Sequence, residues 1–143
     1  VADHLFLKRK QKTTFMKVKK IWGNFPVSDL DRTTQFYKAL GFKHNGASEQ
    51  LTSFFFGEEN FILHFFLADV LGPAMKGPIA DVAAGNEIIF TLSFETREEV
   101  DACEKEILDA GGTIVSRPEL VQGKYYGFVF ADPDGHKYNV FQM

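Results

Sequence analysis

Twice in this chain a strand-like run leads into a capped helix that stops at glycine. The first copy is Ile21 to Phe42, IWGNFPVSDLDRTTQFYKALGF. About 67 residues later the pattern returns as Ile88 to Phe94, then Glu95 to Val100, then a helix ending at Gly111-Gly112. Two copies of one unit in 143 residues predict a single domain built as a pseudo-twofold pair, because neither copy could bury its sheet face alone.

The units read in order as follows. Alternation over Lys19 to Val27 predicts a strand, with Ile21, Gly23, Phe25 and Val27 on one side and Trp22, Asn24 and Pro26 on the other. Ser28 or Asp29 caps a helix over 29–40, whose apolar face carries Leu30, Thr33, Tyr37 and Leu40. Gly41 ends it. Strands are predicted at Phe42 to Ala47, Leu51 to Phe56 and Phe61 to Leu67. Residues 69–86 carry Gly72-Pro73 and Gly77-Pro78 and read as a loop linking the units. The second unit has a strand at Glu87 to Phe94 and a helix over 96–110 opened by the capping box Thr96/Glu99. Its remaining strands are Thr113 to Ser116, Tyr125 to Ala131 and His136 to Met143, with a turn at Asp132-Pro133-Asp134-Gly135. Both units are β-α-β-β-β. Helices predicted only after the first and fifth strands point to an α+β fold with helices on one, convex, sheet face. The other face of a curved mixed sheet is then free to form a concave cup.

Composition narrows the function classes. No apolar run approaches the ~20 residues of a membrane span, and no signal-peptide core opens the chain. Cys103 is the single cysteine, so neither a disulfide framework nor a cysteine zinc cluster is available, and a reducing cytoplasm is the default. On its helix Cys103 reads as an ordinary core thiol. Residues 1–20 hold seven Lys/Arg and one acid, whereas the remainder has 9 basic and 18 acidic residues, a net of −9. An acidic body argues against nucleic acid as partner. Residues 1–19 read as a solvated basic leader that need not be native, with Met16 a plausible original start. The domain proper spans 20–143, with one module at about 20–68, the linker, and a second at about 87–143. Phosphate-loop, nucleophile-elbow, HExxH and CxxC patterns are absent.

Asn24-Phe25-Pro26-Val27-Ser28-Asp29-Leu30 with Phe36-Tyr37-Lys38-Ala39-Leu40-Gly41-Phe42 resembles the opening of a vicinal oxygen chelate module. That superfamily contains glyoxalase I, extradiol dioxygenases and bleomycin resistance proteins. Asp132 to His136 resembles its closing hairpin, and Ile79-Ala80-Asp81, Arg97 to Val100 and Tyr126-Gly127-Phe128 resemble bacterial proteins described as predicted lactoylglutathione lyases. The resemblance covers residues 20–143 and implies paired modules forming a cup, commonly in a homodimer. It also implies a metal held from the first and last strands of each module. The matching positions here are Trp22, His64, Ile89 and Asn139. Trp and Ile cannot ligate, and a neutral amide is a weak ligand, so no stoichiometric metal or other cofactor is expected.

Alternation assigns the cup-facing residues independently. They are Trp22 and Asn24; Ile62, His64 and Phe66; Glu87, Ile89, Thr91 and Ser93; and Lys137, Asn139 and Phe141. An apolar lining with a few convergent polar groups suits a small amphipathic or aromatic ligand. Alternatives stay open at this point. One is a metal-dependent lyase or dioxygenase with a rearranged ligand set. Another is a non-catalytic structural or interaction protein whose cup is plugged by its own aromatics. His64 could equally be structural and Trp22 a cup filler, whereas His136, at a hairpin turn, reads as a surface residue. Whether the chain catalyses anything is left open.

Overall fold

The computed structural model describes residues 15–143; the basic run Lys8 to Lys12 lies outside them. The order is β1 (Gly23–Val27), α1 (Leu30–Ala39), β2 (Lys43–Ala47), β3 (Leu51–Phe56), β4 (Phe61–Leu67), α2 (Ala68–Met75), β5 (Phe90–Phe94), α3 (Arg97–Ala110), β6 (Thr113–Val121), β7 (Tyr125–Ala131) and β8 (Lys137–Gln142). Both predicted βαβββ modules are present, and the fold is α+β.

Each module builds its own four-stranded mixed sheet, ordered β1-β4-β3-β2 and β5-β8-β7-β6. In each, the first and last strands pair in parallel and the others antiparallel. A parallel pair needs a long crossover, which each helix-containing connection supplies.

The sequence places the helix ends by side-chain chemistry. Asp29 caps α1 by accepting the Arg32 amide at 3.0 Å. Thr96 and Glu99 close the expected box on α3. Gly41 and Gly111 follow the two helices with φ of 89° and 100°, a left-handed backbone that glycine adopts without penalty.

Three differences from the sequence reading stand out. The linker opens with α2, which packs on β1 and β4 and buries Leu71. Gly72-Pro73 reads as loop punctuation, yet Pro73 sits within this short helix. Strands β1 and β5 begin later than their apolar patterns suggest, so Lys19 to Trp22 and Glu87 to Ile89 precede paired strand. The curved mixed surface expected of the paired modules is contributed by two sheets, one per module.

The inner faces of the two sheets share one core. Phe36 and Tyr37 from α1, Phe54, Phe56, Leu63 and Phe65 from the first sheet, and Phe128, Phe130, Tyr138 and Val140 from the second are its main members. The Phe56 ring stacks near Tyr138 at 6.2 Å, and Phe25 meets Phe90 edge-on at 5.7 Å. At the centre the Tyr37 hydroxyl donates to Asp132 Oδ2 at 2.7 Å and lies 2.8 Å from the Tyr138 hydroxyl. Burial raises the Tyr37 pKa well above its ordinary value, with Tyr138 and Asp132 adding to the effect. Asp132 Oδ1 accepts the backbone N–H groups of Asp134, Gly135 and His136.

That hub corrects the surface assignment of His136. The Asp132 side chain draws the turn inward, and His136 is 2% exposed. Its ring stacks on Phe25 at 4.2 Å, and its Nε2 lies 2.7 Å from the Pro26 carbonyl oxygen. At the rim Asp134 Oδ1 accepts the Ser28 amide and the Arg32 guanidinium.

Candidate functional site on the outer sheet faces

Since the inner faces meet in the core, the outer faces are what the fold leaves for a ligand. Strand parity settles which residues occupy them. On β5, Phe90, Leu92 and Phe94 pack on the core, so Thr91 and Ser93 point outward. On β8, Tyr138 and Val140 are core, and Lys137, Asn139 and Phe141 take the other face. On β4, Leu63 and Phe65 are core, which turns Ile62, His64 and Phe66 outward. Ile62 is buried but stands apart from the core cluster. Asn24 is opposite His64 across the β1–β4 pair.

The structure gathers these residues into two groups, one per sheet. In the first, the Trp22 ring lies 6.0 Å from His64, and His64 lies 5.9 Å from Phe66 in a near-parallel stack. The result is a row of three rings with Asn24 beside it. Trp22 is 48% exposed, so about half of it is available. In the second group Asn139 Nδ2 donates to Thr91 Oγ1 at 3.3 Å, with Ser93 and Phe141 paired alongside. Ile89, which precedes β5, is 41% exposed. The two groups sit on the outward faces of the two sheets, one group on each.

Parity applied to β2 and β3 adds outward residues that were not singled out from sequence. Ser53 is opposite His64, Phe55 opposite Ile62, and Asn45 Nδ2 donates to Ser53 Oγ at 3.1 Å. Lys43 extends over the Phe55 ring at 5.2 Å. The signal was the same period-two alternation, carried onto the two middle strands.

His64 is held below its ordinary pKa, first by burial and then by the nearby Lys20 charge. Its Nδ1 is buried without a hydrogen-bond partner. An orphaned N–H costs more than a bare acceptor, so the proton belongs on Nε2. Cys103 is pushed up to about 11 by burial and by Glu106 and Glu99, which leaves it a protonated, unreactive thiol packed against the core.

The donor set does not suit a transition metal. Of the positions where the sequence resemblance implies ligands, Trp22 and Ile89 supply none, His64 one imidazole and Asn139 only a neutral, weakly ligating amide oxygen. Among the described residues no group of three or more His, Cys, Asp or Glu side chains is placed to hold a metal ion.

Beside the open edge of β5 lies a cleft of about 820 Å³. Its walls are Phe42, Phe56, Phe61, Leu63 and the β5 residues, and its rim carries Glu58, Glu59 and Glu95. Among the described residues no helix is long and apolar enough to cross a membrane.

Known proteins share this architecture. A hypothetical protein from S. aureus is 30% identical, with 90% of this chain and 96% of that chain covered at a TM-score of 0.80. A glyoxalase-related enzyme from Fulvimarina pelagi is 16% identical over 88% of this chain and 89% of its own, with a TM-score of 0.77. A bleomycin-binding protein, solved with bleomycin, is 20% identical over 88% and 99% of the two chains at a TM-score of 0.57. No curated protein sequence matches the chain. The model of one family does match, over residues 21–140, and with the paired modules in place the chain belongs to the Glyoxalase/Bleomycin resistance protein/Dioxygenase superfamily.

Proposed function

We propose that this protein binds a small amphipathic or aromatic molecule against its outer sheet faces, as a homodimer and without a stoichiometric metal. The observation that carries the reading is the Trp22–His64–Phe66 row, half-open to solvent where a metal site would need donors. A flat ligand gains apolar contact and stacking there, and Asn24 supplies hydrogen bonds that fix its orientation. Likeness in fold to a protein solved with bleomycin supports binding or sequestration as the mode. A cytoplasmic setting suits the lone, protonated Cys103.

On this reading a second copy joins the two groups. β1 and β5 each end a sheet with one edge unpaired. Equivalent apolar pairs lead into them, Ile21 and Trp22 before β1 and Ile88 and Ile89 before β5, exposed by 41–74%. Unpaired edges flanked by exposed apolar residues are surfaces a protein ordinarily covers. Setting the β1 edge of one protomer against the β5 edge of its partner brings the Trp22 group beside the Thr91–Asn139 group and completes a cup across the interface.

Three measurements test this reading. Sedimentation gives the oligomeric state. A thermal-shift screen of aromatic and amphipathic compounds, run on the native protein and on Trp22→Ala, tests the ring row. Hits that vanish in the variant while its melting temperature holds are the expected result. A monomer, or a badly destabilised variant with unchanged hits, refutes it. Elemental analysis giving one metal per chain, lost in His64→Ala, favours a metal-dependent lyase or dioxygenase instead.

A further inference from the structure

Residues 16–21, Met16-Lys17-Val18-Lys19-Lys20-Ile21, join no strand or helix. Met16, Val18 and Ile21 are exposed by 68–90%, and the three lysines among them stand with no acid in the segment. Apolar side chains grouped in water on the lead-in to a strand ordinarily mark a surface that something covers.

The cleft at the β5 edge has the complementary character. Its walls include Phe42, Phe56, Phe61, Leu92 and Phe94, and its rim carries Glu58, Glu59 and Glu95. β5 ends its sheet, so one side of its backbone is unpaired. Phe90, Leu92 and Phe94 pack on the core, which puts these walls on the core side of that edge. None of residues 16–21 lines the cleft of its own chain. The ion pairs among the described residues, Arg32–Asp134 and Lys105–Asp109, use none of these lysines or glutamates.

We propose that residues 16–21 are an exchanged arm: in the dimer, the arm of each protomer lies in the β5-edge cleft of its partner. This rests on the homodimer in the reading above, where β1 of one copy meets β5 of the other. With those two strands antiparallel, the residues before Gly23 run on past Phe94 to Glu95 and the cleft. Alternation continued back from β1 puts Ile21, Lys19 and Lys17 on the face of Gly23 and Phe25, the core side, where the walls stand. Ile21 meets the apolar wall. The lysine stems follow it and carry their ammonium groups to the glutamate rim. Opposite charges on arm and rim steer two copies together and fix the register in which they meet.

Two charge-reversed chains test it, read by sedimentation equilibrium of the full chain at low salt. One reverses the arm, Lys17→Glu/Lys19→Glu, and the other the rim, Glu58→Lys/Glu95→Lys, all at exposed positions. Each alone sets like charges together at both arm contacts of a dimer, so its dissociation constant should rise about tenfold or more. Mixed in equal amounts, the two should pair as a heterodimer with near-native affinity, because each arm then meets a rim of opposite charge. Reversed chains that dimerise as tightly as the native one overturn the arm and leave the dimer standing. Recovery in one chain carrying all four reversals, without recovery on mixing, shows an arm lying on its own chain and overturns the exchange. A monomeric native chain overturns the exchange and the dimer together, while the compound screen judges ligand binding separately.

Discussion

Replacing Tyr37 by Phe removes one oxygen from the middle of the molecule and keeps the ring that fills the core. Every group that contacts Asp132 is a donor, as an ionised carboxylate requires: three backbone N–H groups on Oδ1 and the Tyr37 hydroxyl on Oδ2. Because the single Tyr37 proton goes to Asp132, the Tyr138 hydroxyl donates to Tyr37. Tyr37→Phe therefore strands a buried carboxylate oxygen and a buried hydroxyl together. Unsatisfied buried groups cost about 1–3 kcal/mol each, and relaxation shares part of that, so about 2–4 kcal/mol is expected. For a domain of this length that is a fall of about 6–15 °C in melting temperature. Tyr138→Phe leaves the Tyr37–Asp132 bond intact and should cost about 1 kcal/mol. The double variant should cost less than the sum, since the Tyr138 donor is already orphaned in the first. Denaturant melts of the three proteins supply the comparison. Equal single costs, or a larger loss for Tyr138→Phe, refute the donor order.

Gly127→Ala should destabilise by at least the upper part of the ~1–3 kcal/mol overpacking range, because a Cβ there would overlap the Val140 carbonyl oxygen and the Phe141 ring. An unchanged chemical melt would show that β7 and β8 can part without loss. His44 and His64 both have folded pKa values below 6.5, chiefly through burial, with Lys38 and Lys20 opposing protonation. The unfolded chain takes up protons that the folded one resists, so this contribution is full above pH 6.5 and is lost as pH falls below it. Melting temperature against pH should flatten in that window in a His44→Gln/His64→Gln protein, and parallel curves would contradict the shifts. His136→Ala should cost about 2–4 kcal/mol, since it empties a buried site against Phe25 and strips the Pro26 carbonyl of its partner. Heat denaturation within 2 °C of the native protein, or about half a kcal/mol, would show His136 to be dispensable.

What the sequence made legible is whatever repeats at short range. Period-two alternation sorted His64 from Leu63 and Asn139 from Tyr138 without knowledge of any partner strand. Capping chemistry found Asp29 and the Thr96–Glu99 box, because a cap and its target lie three residues apart. The misreadings share a cause in distant contacts. Lys19 to Trp22 alternates like strand, yet pairing depends on a neighbour, and β4 begins pairing only at Gly23. His136 looks like a turn residue until Phe25, about 110 positions earlier, provides the ring it lies on. Alternation says which side chains share a face. It is silent on which faces are pressed together, so the core shared by the two modules is visible only in the structure.

The common core has a consequence for the chain's handling. Phe25, Tyr37 and Phe56 of the first half are the wall against which Phe90, Tyr138 and His136 of the second half rest. The peptide running through residues 76–89 adds to this clasp, with Asn86 donating to the Gly135 carbonyl at 3.0 Å. Cleaving it should leave two fragments that stay clasped through these rings, which gel filtration of the nicked protein would show. Two repeats that share an interior in this way are tied together: a change at Tyr37 or Tyr138 is felt in both.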